Sequence, residues 1–187
     1  MQTQSLESAL RASAITPFHI ARIREIDNTD FSGVLRKVRE DLAQLGFAAD
    51  DDYLSRGLLA LKQYYAVAVL DPLNMHAVSD TLDPFWHAHI LHTQQYEEFC
   101  GRVVGGFMHH VPLDHDRSLD VRAVDRLYSY TGGCLSEFFL EVDPEFFPAE
   151  LPDARLICFH GNRYEAPLLE NALKPRNPEM VLEHLAA

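Results

Sequence analysis

Cysteine is scarce in this 187-residue chain: Cys100, Cys134 and Cys158 are widely spaced and odd in number. No C-x-x-C pair occurs, which excludes a zinc knuckle or thioredoxin-like pair built on that spacing; three reduced thiols in a cytosolic protein are the simplest reading. Basic residues are also in deficit. Against 28 Asp and Glu stand 16 Lys and Arg, a formal net charge of −12, with no compact basic block. Such a field repels phosphate backbones and anionic membrane surfaces, so neither nucleic acid nor membrane is expected as a partner. Long apolar runs are missing too. The longest, Tyr64 to Leu70, falls far short of the roughly 20 residues that span a bilayer. Met1-Gln2-Thr3-Gln4-Ser5 carries no positive patch leading into an apolar run, so no secretory signal is predicted and a cytoplasmic location is expected. The chain also lacks a Gly-x-Ser-x-Gly elbow, a His-Glu-x-x-His pattern, a phosphate-binding loop and a dinucleotide fingerprint.

What remains is a globular composition, 47% hydrophobic and 24% charged, of a length that predicts one domain over residues 1–187. Helical periodicity dominates a body of about 17–142. Pro17 to Asp27 places Phe18, Ile20, Ile23 and Ile26 at offsets near three. Asp30 to Leu45 carries Phe31, Val34, Leu35, Val38, Leu42 and Leu45 on one stripe, and Gly46 ends it. Asp50 to Leu70 is apolar nearly all round at its end, which predicts a central, buried helix broken by Asp71-Pro72. A connection, Leu73 to Leu82, precedes a fourth helix with Asp83 as N-cap, Pro84 in its first turn, and a body from Phe85 to about Val104. Arg117 to Tyr130 predicts a fifth, stopped by Gly132-Gly133, and Cys134 to Val142 a shorter one. The arm, about 143–187, holds Arg155 to Phe159 as a strand or extended segment and a small helix from Pro178 to Leu185. The expected fold is mainly α: a single-domain irregular bundle of about five to six helices with a short extended or β-containing carboxy-terminal arm.

Chemistry concentrates in one place. Asp83 to His92 contains the lone Trp86 and three of the ten histidines, and His109, His110 and His115 follow. On a helical wheel at about 100° per residue, Asp83 and His87 lie about 40° apart, and His87 and His89 about 200° apart. A regular helix therefore cannot aim His87 and His89 at one ion. Two arrangements follow. In the preferred one, Asp83 and His87 face His109 or His110 from the later connection, and imidazoles plus a carboxylate suit zinc or non-haem iron with an open position. In the other, His89 and His92 supply the ligands. The expected metal residues are Asp83, His87, His89, His109 and His110, with His89 a ligand or an orienting partner.

The bland readings stand beside these. Asp83 serves equally as a helix cap, a lone histidine packs in cores, and a His-His pair after glycines forms a solvated turn. His19, His76, His160 and His184 are read as structural or exposed, Tyr128 and Tyr130 as core and rim, and Cys100 as a buried thiol. Cys158 and His160 are close in sequence but lack a third orienting group. The leading expectation is a metal-binding helical protein acting on an unidentified small-molecule substrate, with water activation or oxidation as the reaction type if it is an enzyme. The rival is a non-catalytic acidic module for a protein partner, and a histidine-driven pH switch is a third reading.

The order of these residues resembles the bacterial branch of the glycine-rich domain-containing protein-like family. The resemblance runs through Asp83, Trp86, His87, His89, Ile90, Leu91, Thr93, Tyr96 and Cys100, then Gly105 or Gly106, Phe107, His109, His110 and Pro112. Upstream, Leu58, Leu59, Leu61 and Tyr64 fit the same pattern, so that about residues 40 to 140 are covered. His92 replaces an expected Asp, Leu113 an expected aromatic, and Asp114-His115-Asp116-Arg117 a Gly/Arg-rich acidic segment. The resemblance implies a fold and a site position, not a reaction.

Overall fold

The computed structural model describes residues 5–11, 15–112, 121–150, 157–159 and 164–181. Among them, seven α-helices and three very short strands make a mainly helical bundle: α1 (Pro17–Asn28), α2 (Ser32–Gln44), α3 (Asp51–Leu70), β1 (His76–Val78), α4 (Asp83–Leu91), α5 (Thr93–Val103), β2 (Val111–Pro112), α6 (Val121–Phe138), β3 (Ile157–Phe159) and α7 (Ala166–Glu170). The predicted central helix is α3. Asp50 caps it by accepting a hydrogen bond from the Tyr53 amide at 2.8 Å. Every residue from Tyr64 to Leu70 is buried, and α3 packs against α1, α2, α4 and α6. A stripe wider than one face requires such enclosure, because each large apolar side chain removed from water contributes about 1.5–3 kcal/mol.

The approach of α4 to α3 depends on Gly57. A Cβ there would lie 2.1 Å from Cζ of Phe85, so only the absence of a side chain lets the Phe85 ring sit over the helix. Phe85 and Trp86 are both fully buried. This contact sets where the first turn of α4, and with it Asp83, is held.

Three predicted boundaries differ in the structure. The expected continuous fourth helix is two helices, α4 and α5, jointed at His92. His92 has ψ 59°, its amide donates to the His89 carbonyl at 3.0 Å, and its Nδ1 bonds the Ala88 carbonyl at 2.8 Å. A side chain that takes an i−4 carbonyl competes with the helical ladder, and the sequence has no Gly or Pro there to announce it. Conversely, Gly132-Gly133 does not stop α6, which runs on to Phe138. Buried Leu127, Cys134, Leu135 and Phe138 lie on both sides of the pair, and tertiary packing overrides its weak propensity. In the arm, α7 was not anticipated, and Pro178–Met180 forms a single 3-10 turn. Residues 182–185, the rest of the expected last helix, lie outside the described residues, as do residues 117–120 of the expected fifth helix and 155–156 of the expected extended run.

The strands form a sheet of order β1-β3-β2, both pairs antiparallel. Ala77 faces Cys158, and Val111 faces Cys158 from the other side. The expected extended segment of the arm is therefore the middle strand. By pairing with β2 it fixes the backbone immediately after His110, which bears on the site.

Candidate functional site

Asp83, expected as the N-cap, is instead the first residue of α4, and the N-cap position is Leu82, which has no side-chain capping hydrogen bond. The turn before it is closed by Ser79, whose carbonyl accepts from the Leu82 and Asp83 amides at 3.1 and 3.0 Å. The Ser79 hydroxyl in turn donates to the Phe146 carbonyl at 2.6 Å. With the cap supplied elsewhere, the Asp83 carboxylate is turned toward the segment before β2. Its Oδ1 lies 3.0 Å from Nε2 of His110, and the His110 and Asp83 side chains keep only 14% and 22% of their exposure. His87, one turn along α4 and exposed, brings its ring centroid 5.6 Å from that of His110. One ligand atom each from Asp83, His87 and His110 falls within a mutual 4.8 Å.

Buried polar chemistry beneath holds this group. The Trp86 indole N–H donates to the Tyr96 hydroxyl at 3.0 Å, and that hydroxyl donates to the Met108 carbonyl at 2.7 Å. The chain of bonds links α4, α5 and the segment before β2 that carries His110, so Met108 is tied to the same helix that bears Asp83 and His87. The edge of the Trp86 ring against His110, centroids 4.9 Å apart, restricts the imidazole further.

Of the five sequence-derived residues, Asp83, His87 and His110 come together. His89 and His109 do not join them. His89 is fully buried on the other face of α4, as the helical wheel requires, ringed by Phe31, Tyr65, Tyr96 and Phe99. Its Nδ1 lies 2.8 Å from the Tyr65 hydroxyl, and its buried Nε2 has no hydrogen-bond partner. Desolvation, with the neighbouring His92 second, lowers its pKa to about 3, so it is a neutral imidazole. His109 packs against Phe107, centroids 5.0 Å apart. His92, the other residue of the alternative arrangement, is engaged with Ala88. His115, His160 and His184 lie outside the described residues.

A second convergence was missed by sequence reasoning. Asp71, His76 and Cys134 are all buried and also place ligand atoms within a mutual 4.8 Å. Asp71 closes α3, His76 begins β1 and Cys134 lies on α6. Asn74 donates to Oδ1 of Asp71 at 2.7 Å, and the Tyr130 hydroxyl to Oδ2 at 2.7 Å. Burial works to raise the Asp71 pKa, but hydrogen bonding and charge from His76, with Tyr130 and Asn74, outweigh it and leave the carboxyl below its ordinary range. Burial, then the Asp71 carboxylate, pushes the Cys134 thiol up to about 12. The available signal was an acidic residue following a helix whose last turns are apolar: a carboxylate there must be exposed or partnered. Nothing local pointed to Cys134, 63 residues away.

No helix among the described residues is long and apolar enough to cross a membrane. No curated protein and no solved structure matches the chain. The model of the UCP032817-like family matches residues 21–132, the stretch that carries most of α1, all of α2 to α5, both His-bearing segments and both polar convergences except Cys134. This corrects the resemblance drawn from the Trp-His-x-His and His-His segments, which are shared short patterns and not membership of the glycine-rich domain-containing family. The chain belongs to the UCP032817-like family, an uncharacterised one.

Proposed function

We propose that this protein binds a divalent metal, zinc or non-haem iron, through Asp83, His87 and His110, and uses the exposed side of that site for chemistry on water or a small-molecule substrate. The observation that carries the reading is the convergence of a carboxylate and two imidazoles from segments 27 residues apart, one of them exposed and two mostly sheltered. Two imidazoles and one carboxylate leave coordination positions open, as in non-haem iron and catalytic zinc sites. When bound, the ion would supply Lewis acidity and lower the pKa of a coordinated water. The chain's own residues do the positioning. Asp83 and His110 hold each other in register, Trp86 limits the swing of His110, and exposed His87 leaves the approach from solvent open.

Equilibrium dialysis against iron(II) under anaerobic conditions, and separately against zinc(II), tests the reading. The expected result is that one equivalent of the metal bound by wild type weakens at least tenfold in both His87→Ala and His110→Ala. Wild-type binding that neither substitution changes, or none at all, would overturn it.

A further inference from the structure

The buried Asp71, His76 and Cys134 bring three potential ligand atoms within a mutual 4.8 Å, and Nε2 of His76 also lies 3.2 Å from the Asp71 backbone carbonyl oxygen. Nε2 of His76 lies 3.3 Å from Oδ2 of Asp71, and Sγ of Cys134 lies 3.6 Å from the same oxygen. A charge-assisted imidazole–carboxylate hydrogen bond settles at about 2.7–2.9 Å. A tetrahedral zinc ion, with bonds of about 2.0–2.1 Å to nitrogen and oxygen and about 2.3 Å to sulfur, sets nitrogen and oxygen roughly 3.3 Å apart and sulfur and oxygen roughly 3.6 Å apart. The two observed separations match two edges of such a tetrahedron, and 3.6 Å is also the length of the thiol–carboxylate hydrogen bond that the metal–sulfur bond would replace. The Tyr130 hydroxyl, at 2.7 Å from the same carboxylate oxygen, is at hydrogen-bond length and acts as an orienting donor. We propose that Asp71, His76 and Cys134 form a second metal site, a buried structural one for zinc, distinct from the exposed site at Asp83.

Charge and surroundings agree with the distances. Asp71 and His76 have side chains at 0% exposure, and His76 is the partner that Asp71 meets, at 3.3 Å; among the described residues no Arg or Lys pairs with Asp71, and Lys174 is bound to Glu137 at 2.6 Å. A buried carboxylate without a full counter-charge is unfavourable. One divalent ion with one carboxylate, one thiolate and one neutral imidazole sums to zero. Loading breaks the Cys134 S–H bond, forms the metal–sulfur bond and releases one proton to solvent. The supports around the three ligands are those such a site needs. Asn74 and Tyr130 each hold one carboxylate oxygen, and the Thr131 hydroxyl lies 3.4 Å from Nδ1 of His76. The three ligands come from α3, β1 and α6, so the ion would staple the central helix to the sheet and to the helix that covers it. This proposal is independent of the open site: it concerns different residues, a different donor set and a role in stability.

Cobalt(II) refolded into the reduced chain provides the test, because only thiolate ligation gives an intense sulfur-to-cobalt charge-transfer band in the near ultraviolet. The expected result is that band at one equivalent, with tetrahedral visible absorption, retained in His87→Ala and in Cys100→Ala and Cys158→Ala. It should vanish in Cys134→Ser and in His76→Gln, with circular dichroism reporting whether each variant is folded. Wild-type protein that takes up cobalt without the band, or a band lost only in Cys100→Ala or Cys158→Ala, would overturn the proposal whether or not the Cys134 variant folds. Cobalt bound without the band and lost in His87→Ala would leave the open site standing and remove this one. A band that survives His87→Ala without a second equivalent would do the reverse.

Discussion

At the scale of single residues, the histidines divide by environment and not by spacing. His87 is exposed, so His87→Ala should remove bound metal while changing unfolding free energy by no more than about 0.5 kcal/mol, read by urea denaturation of the metal-free protein. His110 ties to Asp83 and packs on Trp86, so His110→Ala should lose both the metal and about 1 kcal/mol of stability. His89 makes a pH prediction. Its pKa is about 3 in the folded chain against an ordinary 6.5, so between those values the unfolded chain binds the extra proton. Stability from this group is complete above pH 6.5 and is lost as pH falls toward 3, by roughly 2 kcal/mol between pH 7 and pH 5. Denaturation curves of wild type and His89→Leu at the two pH values should show a flatter dependence in the variant; equal slopes would refute the assignment. The sequence made Asp83, His87 and His110 legible as a group because helical angles separate His87 from His89. It did not separate His109 from His110, since only the β2 pairing decides which of two adjacent side chains faces α4.

At the scale of elements, most of the bundle was readable because amphipathic stripes bury in one way. The exceptions were local. A histidine side chain ended α4 with no glycine or proline to mark it, and a Gly-Gly pair that reads as a stop is carried inside α6. The latter gives a prediction of sign. A Cβ at Gly132 or Gly133 would meet nothing within 4 Å, so Gly132→Ala and Gly133→Ala should each raise stability by about 0.5–1 kcal/mol in thermal or chemical unfolding. At Gly57 the sign reverses. The 2.1 Å approach to Phe85 means that Gly57→Ala must displace α4 from α3, with an expected loss of about 2–3 kcal/mol. Because α4 carries Asp83 and His87, its metal affinity should fall as well.

At the scale of the whole molecule, the carboxy-terminal stretch completes the fold by supplying the middle strand between β1 and β2. The sequence marked Arg155 to Phe159 as extended but could not show its partners, because strand pairing is a long-range choice that local pattern leaves open. The same limit hid the Asp71, His76 and Cys134 convergence, whose members are contributed by three elements. The proposed function rests on a metal held by Asp83, His87 and His110. Elemental analysis of protein purified anaerobically, alongside His87→Ala and His110→Ala purified identically, tests it most directly. Wild type is expected to carry one equivalent of zinc or iron more than either variant; wild type with no stoichiometric metal, or with metal that both variants retain in full, would contradict this.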